Sequence, residues 1–137
     1  MIVSLHVASG AAMGALVRSR RRALSIGPLL HVAEDRVPHQ DIANRRFEIT
    51  SGAASLLLLA LCRGPFDAAT LGGVAASAPD LEHVLPWLRP RGQKLFHGKH
   101  GWHGSGGFSA PAQLLLAGAI LGRLVRSCAL VGRGRPR

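Results

Sequence analysis

Glycine and proline divide this chain into apolar segments of helical length. Firm breaks stand at Pro38, Gly64-Pro65, Pro79 and Pro90, because proline disfavours the helical conformation of the residue before it. The apolar residues between the breaks are mostly Ala, Leu and Val, and no run alternates apolar with polar residues as a half-buried strand does. The sequence therefore predicts an all-α protein.

We expect a small helical bundle of about five to six helices, since 137 residues are enough for one domain. The predicted helices cover 2–22, 24–36, 47–63, 68–77 and 111–131; the domain covers 1–131, and a basic disordered tail covers 132–137. Ser9, Gly10 and Gly14 give the first helix a small-residue face for close packing against another helix. The arginine-rich run 18–22 would end that helix, and the second would open through Gly27-Pro28.

The charge pattern favours a protein at an anionic membrane surface. Lys and Arg number 17 against 7 Asp and Glu, a net charge of +10, and arginines cluster at the ends of apolar segments. Nucleic acid is disfavoured as a partner, because aromatics make up only 4% of residues and do not interleave with the basic ones. The apolar hairpin 47–77 is either buried core or shallowly embedded in the bilayer. Arg123 and Arg126 make 111–131 a poor spanning segment.

We therefore expect association with membrane lipids on the cytoplasmic side. The first charge, Arg18, follows the apolar N-terminal stretch, whereas a signal peptide carries its charge before that stretch. Cys62 and Cys128 lie far apart in apolar segments, which is typical of buried cysteines in a reducing compartment.

The densest group of metal-type side chains lies between the second and third predicted helices. His31 and Asp35 are four residues apart and share one helical face. A proline then ends that helix, so His39 and Asp41 can turn back toward the same point. Four such side chains at one helix end would bind a divalent metal. The alternative is an exposed ion pair between His31 and Asp35, which contributes little to stability.

Three further clusters complete the set of candidate ligands, which comprises His6, Asp80, His83, His97 and His103. His6 stands in an apolar segment, where a single histidine is more often a core residue than a ligand. Asp80 and His83 share a helical face at i, i+3, but Asp80 also stands where an N-cap belongs. The loop 89–109 carries three histidines spaced by three and separated by glycines, which let the backbone approach a metal. The alternative there is a flexible loop with incidental metal affinity.

The chemistry of this ligand set favours a transition metal. Mixed His and Asp ligands without Cys favour Zn²⁺, with Mn²⁺ or Fe as alternatives, and the set is large enough for one or two ions. Paired metals with a bridging carboxylate are the usual machinery for hydrolysing phosphate esters.

Two resemblances to known families follow from the same residues. His6, the run Ala-Pro-Asp80-Leu-Glu-His83 and the later Gly/His loop resemble the bacterial membrane-associated metal-dependent hydrolases. That family carries an early His, a Pro-Asp-x-Asp-His-type motif and a late His-rich loop, and Glu82 stands where it often has Asp. His31, Asp35 and the later Pro-His are similar to a motif of the zinc-dependent phospholipase C and P1 nuclease group. The second resemblance implies a helical fold whose metal cluster cleaves phosphodiesters.

The sequence thus predicts a membrane-associated, metal-dependent hydrolase in which metal-activated water attacks an ester or phosphodiester. Asp41 or Glu34 would be catalytic, by orienting that water or a ligand histidine. Basic side chains would hold an anionic small-molecule or lipid substrate. The alternative is a non-catalytic membrane-associated protein that binds a metal or haem.

Overall fold

The computed structural model describes residues 1–97 and 106–133, without the side chains of 127–133. Over this part the chain is all-α, as predicted. The α-helices are α1 (Val3–Val17), α2 (Arg20–Asp35), α3 (Arg45–Arg63), α4 (Ala68–Ser77), α5 (Leu81–Val84) and α6 (Ala110–Arg133). Short 3₁₀ turns precede and follow α5. These residues include no β-strand, although one isolated bridge pairs His39 with Phe108.

Helix α1 lies at the centre of the bundle and contacts α2, α3, α4 and α6. Its closest approach is to α4, where a Cβ on Gly10 would lie 2.4 Å from the carbonyl oxygen of Gly72. A Cβ on Gly14 would lie 2.1 Å from the carbonyl oxygen of Ala68. No side chain fits at such distances. The small-residue face predicted for the first helix is therefore confirmed, and it brings the chain that follows α4 close to α1.

The prediction of one helix over 2–22 was wrong, because this segment is two helices. Arg18 adopts the left-handed conformation with φ 51° and ends α1. The Ser19 side chain then accepts a hydrogen bond from the backbone N–H of Arg22 and caps α2. The arginines at 20–22 consequently open α2 instead of closing α1, against the preference of the helix dipole.

Pro28 lies in the interior of α2, not at its start as predicted. A proline there removes one helical hydrogen bond. The neighbouring Gly27 packs so closely on α4 that a Cβ would lie 2.5 Å from the Cβ of Ala75. The contact with α4 therefore holds this segment in the helical conformation, although Gly27 and Pro28 have low intrinsic helix propensity.

Capping side chains set the starts of α3 and α4. Asn44 accepts a hydrogen bond of 3.1 Å from the backbone N–H of Phe47, and Asp67 accepts one of 2.9 Å from that of Ala69. Helix α4 ends at Ser77, as predicted. The chain then continues through the 3₁₀ turn Ala78–Asp80 directly into α5, so the polar residues after α4 stay close to the bundle.

Helix α6 extends the predicted last helix at both ends. Its Gln113 side chain is buried, accepts a hydrogen bond from the N–H of Ile2 and donates to the carbonyl oxygens of Gln40 and Phe108. These bonds tie the start of α1 to the segment that follows α2. Residues 132–133 of the predicted tail belong to α6, while 134–137 lie outside the described residues.

The apolar core is built around α1. Its members include Ile2, Leu5, Val7, Ala8, Leu59, Ala117 and Leu121. Helix α3 contributes Leu59 to this core, but its Leu57, Leu58 and Leu61 are exposed. Within the described ranges, no helix is both long enough and apolar enough to cross a membrane.

Candidate metal centre

Five of the predicted ligands meet where α1, α2 and the chain after α4 come together. They are His6, His31, Asp35, Asp80 and His97. Helix α1 supplies the first, α2 supplies the next two, and the 3₁₀ turn before α5 and the loop after it supply the last two. Several His and Asp groups here are positioned to hold a metal ion, with ligand atoms within 4.8 Å of one another.

The tightest group of donor atoms belongs to His31, Asp35 and His97. Nε2 of His31 lies 3.3 Å from Oδ2 of Asp35 and 3.2 Å from Nε2 of His97. Nε2 of His97 lies 3.2 Å from the same Oδ2. Ligands about 2.0–2.1 Å from a tetrahedral Zn²⁺ stand ~3.3–3.4 Å from one another. The three donor atoms therefore already have nearly the mutual spacing that one ion requires.

The other ring nitrogens fix which atom of each histidine faces this point. Nδ1 of His31 donates to the carbonyl oxygen of Ala76 at 2.8 Å. Nδ1 of His97 lies 2.6 Å from Oε1 of Glu82 and donates to it. A neutral imidazole that donates through Nδ1 presents a lone pair at Nε2. When both rings are neutral, two lone pairs and a carboxylate oxygen converge, an arrangement that a cation would make favourable. Without a cation, burial is outweighed by the hydrogen bonds to Asp35 and Glu82, which raise the pKa of His97, so a proton on its Nε2 can take that place.

His6 is fully buried between two carboxylates. Its Nδ1 lies 2.7 Å from Oε2 of Glu34, and its Nε2 lies 3.1 Å from Oδ1 of Asp35. Burial alone would lower the pKa of His6, but the bonds to Asp35 and Glu34 outweigh it and raise the pKa to about 9. Glu34 is therefore placed to orient a ligand histidine, one of the two roles that the sequence suggested for it.

Asp35 is the residue on which these histidines converge. Burial opposes its ionisation, but the bonds from His31, His6 and His97 outweigh that effect and hold the pKa of Asp35 well below its usual range. The prediction that His31 and Asp35 share one face of α2 is borne out by their 3.3 Å separation. Both side chains are buried, so the pair is not the exposed ion pair considered as the alternative.

Asp80 lies on the far side of the same group. Its Oδ1 is 3.5 Å from Nε2 of His97, and its Oδ2 is buried with no hydrogen-bond partner among the described residues. Its side chain makes no capping hydrogen bond to α5, so the N-cap alternative does not describe it. Burial raises the pKa of this carboxyl. This oxygen is therefore available to a cation or to a proton on the carboxyl group.

His83 belongs to a second potential group with Asp80 and His97. Its ring lies 4.1 Å from that of His97, centroid to centroid, and its Nδ1 is 3.2 Å from Nζ of Lys94. Burial, followed by the positive charges of His97 and Lys94, lowers the pKa of His83 to about 4. The imidazole is therefore neutral near pH 7 and available as a ligand.

His39 and Asp41 form a separate pair at the edge of this centre. Nε2 of His39 lies 3.0 Å from Oδ1 of Asp41 and also contacts the amino group of Met1. That amino group bonds to Oδ1 of Asp35 at 2.6 Å. Within the part of the chain that the structure describes, the ring nitrogens of His39 are therefore not among the converging donors.

His103, another predicted ligand, lies outside the described residues. Two acidic residues near the site, Glu82 and Glu48, were not predicted from the sequence. Glu82 accepts hydrogen bonds from the backbone N–H groups of residues 95–97 as well as from His97. Burial opposes its ionisation, but these bonds lower the pKa of Glu82 to about 2. Its place between Asp80 and His83 was the available signal. Glu48 left no signal in the sequence, yet its Oε1 is buried without a hydrogen-bond partner among the described residues.

Comparison of the chain with protein-family models, with curated proteins and with solved structures found no match. What the site can do chemically follows from its own side chains.

Proposed function

We propose that this protein is a membrane-associated, metal-dependent hydrolase that acts on esters or phosphodiesters. The observation that carries the proposal is the convergence of His31 Nε2, Asp35 Oδ2 and His97 Nε2 at 3.2–3.3 Å from one another. A histidine with a purely structural role normally points a ring N–H at a hydrogen-bond acceptor. Here each Nδ1 has its own acceptor, and both Nε2 atoms face a shared point beside a carboxylate.

The donor set suits zinc best. Imidazole nitrogen and carboxylate oxygen without thiolate are typical ligands of catalytic Zn²⁺, and Mn²⁺ or Fe would accept the same set. His31, Asp35 and His97 would hold the first ion. Asp80 belongs to two of the potential groups, one with His6 and one with His83, so Asp80 and His83 would hold a second ion. One or two ions therefore fit.

A bound Zn²⁺ would lower the pKa of its water to about 7 and polarise the ester. The chain's own residues do the remaining work. Glu34 and Glu82 hold the rings of His6 and His97 through their Nδ1 atoms. Asp41 lines the same cavity as Asp80 and His83, which supports its proposed role in orienting the attacking water.

Membrane association is part of the proposal. The outward face of α3 exposes Leu57, Leu58 and Leu61, and Phe66 in the following turn is exposed as well. An apolar face on a chain with a net charge of +10 suits the anionic cytoplasmic leaflet. Cosedimentation with vesicles containing about one-third anionic lipid tests this at low salt. We expect the protein to bind the vesicles, and we expect this binding to fall when Leu57 and Leu61 are both changed to Gln. If the same amount of unmodified protein stays in the supernatant with and without vesicles, the proposal is contradicted.

The catalytic proposal is tested with tag-free protein reconstituted with Zn²⁺ and assayed on a chromogenic phosphodiester and a chromogenic carboxylic ester. We expect metal-dependent turnover that Asp35→Asn removes. Asp67→Asn is the matched control, because Asp67 caps α4 and pairs with Arg63, away from the site, and asparagine caps equally well. Stoichiometric metal with no turnover on either substrate would favour the non-catalytic metal-binding alternative.

A further inference from the structure

A cavity of about 850 Å³ opens beside the metal centre. One end is formed by Asp80, His83 and His97. Away from that end its wall is mostly apolar, with side chains from α3, α5 and the segment before α3. The apolar lining residues include Ile42, Ile49, Ala53, Leu56, Leu81 and Val84. A volume in the range of about 300–1,000 Å³ is typical of sites for one small ligand.

Three cationic side chains gather at the end of the cavity that reaches the metal centre. Nε of Arg89 donates to the carbonyl oxygen of Glu82 at 2.7 Å, and Nζ of Lys94 lies 3.2 Å from Nδ1 of His83. The Arg45 guanidinium donates to the carbonyl oxygen of His83. All three side chains line the cavity. An anionic group bound at this end would meet the cations and the candidate ligands together.

The acidic residues of the cavity do not cancel this preference. Asp80 belongs to the metal centre, and Asp41 bonds to the ring of His39. Glu48 directs its Oε2 to the backbone N–H of Val3 at 2.9 Å, while its Oε1 has no partner among the described residues. Burial raises the pKa of Glu48, which favours a carboxyl that can donate a hydrogen bond to a ligand oxygen.

The apolar part of the cavity opens to solvent along partly exposed side chains. Ile49, Leu81 and Val84 line it and are 41%, 46% and 38% exposed. A water-soluble phosphate ester would leave this apolar wall uncovered, whereas an apolar chain would cover it. The cationic end of the cavity thus suits an anionic group, and the apolar end suits an apolar chain of the same ligand.

We propose that this cavity binds a single-chain alkyl phosphate or alkyl phosphodiester. The apolar chain lies along α3 and α5, and the phosphate lies among Arg45, Arg89 and Lys94 next to the metal centre. The inference rests on the proposed function only for what happens to the bound ligand. In a phosphodiester, water would add to phosphorus, one P–O ester bond would break, and the alcohol would leave with a proton. Binding itself requires no turnover.

The test measures binding of dodecyl phosphate below its micellar concentration by calorimetry, with the protein as purified and again after incubation with Zn²⁺. Dodecanol supplies the chain without the charge, and methyl phosphate supplies the charge without the chain. We expect dodecyl phosphate to bind at least about a hundredfold more tightly than either, because each lacks one half of the recognition. Equal affinity for dodecyl phosphate and methyl phosphate would overturn the apolar-chain assignment, and equal affinity for dodecanol would overturn the phosphate assignment.

Two matched pairs of variants locate the site. Ala53→Trp places a bulky side chain at the wall of the cavity, whereas Ala54→Trp places the same bulk on the next residue of α3. Both positions are exposed, but Ala53 lines the cavity and Ala54 does not. Arg45→Gln removes a lining cation, whereas Arg46→Gln removes its exposed neighbour. We expect Ala53→Trp to abolish binding, Arg45→Gln to weaken dodecyl phosphate about tenfold, and both controls to leave it unchanged. If Ala53→Trp fails to fold, Arg45→Gln decides, and equal effects of Arg45→Gln and Arg46→Gln would overturn the inference.

The outcomes separate this inference from the proposed function. Specific binding of dodecyl phosphate without hydrolysis of any chromogenic ester would support the cavity assignment and contradict the hydrolase proposal. Turnover of a chromogenic phosphodiester without chain-dependent binding would support the hydrolase and contradict the cavity assignment.

Discussion

The protein contains two histidine–carboxylate groups that look alike in sequence and differ in structure. At the centre, His31, Asp35 and His97 are buried, and their donor atoms share one point. At the edge, His39 is also buried, and its Nδ1 donates to the carbonyl oxygen of Val37. Its carboxylate partner, Asp41, is 55% exposed, and among the described residues neither of the two belongs to a group positioned to hold a metal ion.

This difference separates a group that is positioned to hold a metal ion from a simple polar pair. Both groups orient an Nε2 toward a carboxylate through a bond at Nδ1. Among the described residues, the central group alone brings several such donors together, and protons or a cation must offset the repulsion between their lone pairs. An exposed carboxylate can be hydrated by water. The buried Asp35 is instead held by bonds from histidines, and the buried Oδ2 of Asp80 has no hydrogen-bond partner among the described residues.

The largest expected effect is on the central group. His31→Ala and Asp35→Asn should each remove most of the bound metal, and the double variant should do little more, because residues of one site act together. The amide of Asn keeps the shape of Asp35 but loses the charge. Metal analysis and thermal melts measure the outcome. If both single variants keep their full complement of metal, the central group is no more a metal site than the pair at the edge.

A smaller effect is expected from the residues that hold the ligand rings. Glu82→Gln should lower metal affinity about 10–100-fold, because loss of the carboxylate weakens the orientation and basicity of the ligand His97. Glu34→Gln should act in the same direction through His6. Competition with a chelator of known affinity measures both. If Glu82→Gln leaves the metal affinity unchanged and lowers only the stability of the protein, the role of Glu82 is limited to its hydrogen bonds with the backbone of the loop.

The pH dependence of stability should differ between metal-free and metal-loaded protein. In the metal-free state the pKa of His6 is raised from 6.5 to about 9. The associated stabilisation is therefore complete below about pH 6.5 and is lost as the pH rises through about 9. Metal binding displaces protons, so the loaded protein should instead become more stable relative to the metal-free protein as pH rises. Urea unfolding of both forms across this range tests the sign, and parallel curves would contradict metal binding at these histidines.

The smallest effect on metal is expected at the edge. His39→Ala should change metal affinity less than about twofold, since residues that do not share a site act nearly independently. The same titration as for Glu82→Gln applies. If His39→Ala loses as much metal as His31→Ala does, His39 is a ligand, as the sequence predicted. The central and edge groups would then belong to one metal site.

Sequence reasoning succeeded where the determinant is local. The i, i+4 spacing of His31 and Asp35 fixes their common face once α2 forms, and the cap at Asp67 fixes the start of α4. It failed where tertiary contacts decide. Gly27 against Ala75 carries α2 through Pro28, and the left-handed Arg18 breaks what reads as one continuous helix.

The site shows the same division. The ligand types and all four clusters could be identified from the sequence, because the chain has only seven acidic residues and several of its seven histidines lie close to them. Which of these residues meet could not be predicted, because Asp80 and His97 reach His31 through the packing of α2 on α4, the bond from His31 to Ala76 and the bonds from Glu82 to the loop. A proline after α2 was expected to return His39 to the same point. The backbone bonds that pair the segment 38–40 with 106–108 direct it to the edge instead.

The most direct test of the account is the metal content of tag-free protein after incubation with Zn²⁺ and exhaustive dialysis. Convergence of His31, Asp35 and His97 predicts about one to two equivalents retained, and retention in the Asp67→Asn control but not in Asp35→Asn. Less than about one tenth of an equivalent in the unmodified chain, for Zn²⁺, Mn²⁺ and Fe²⁺ alike, would contradict a metal centre. The buried histidines and carboxylates would then be held together by protons alone.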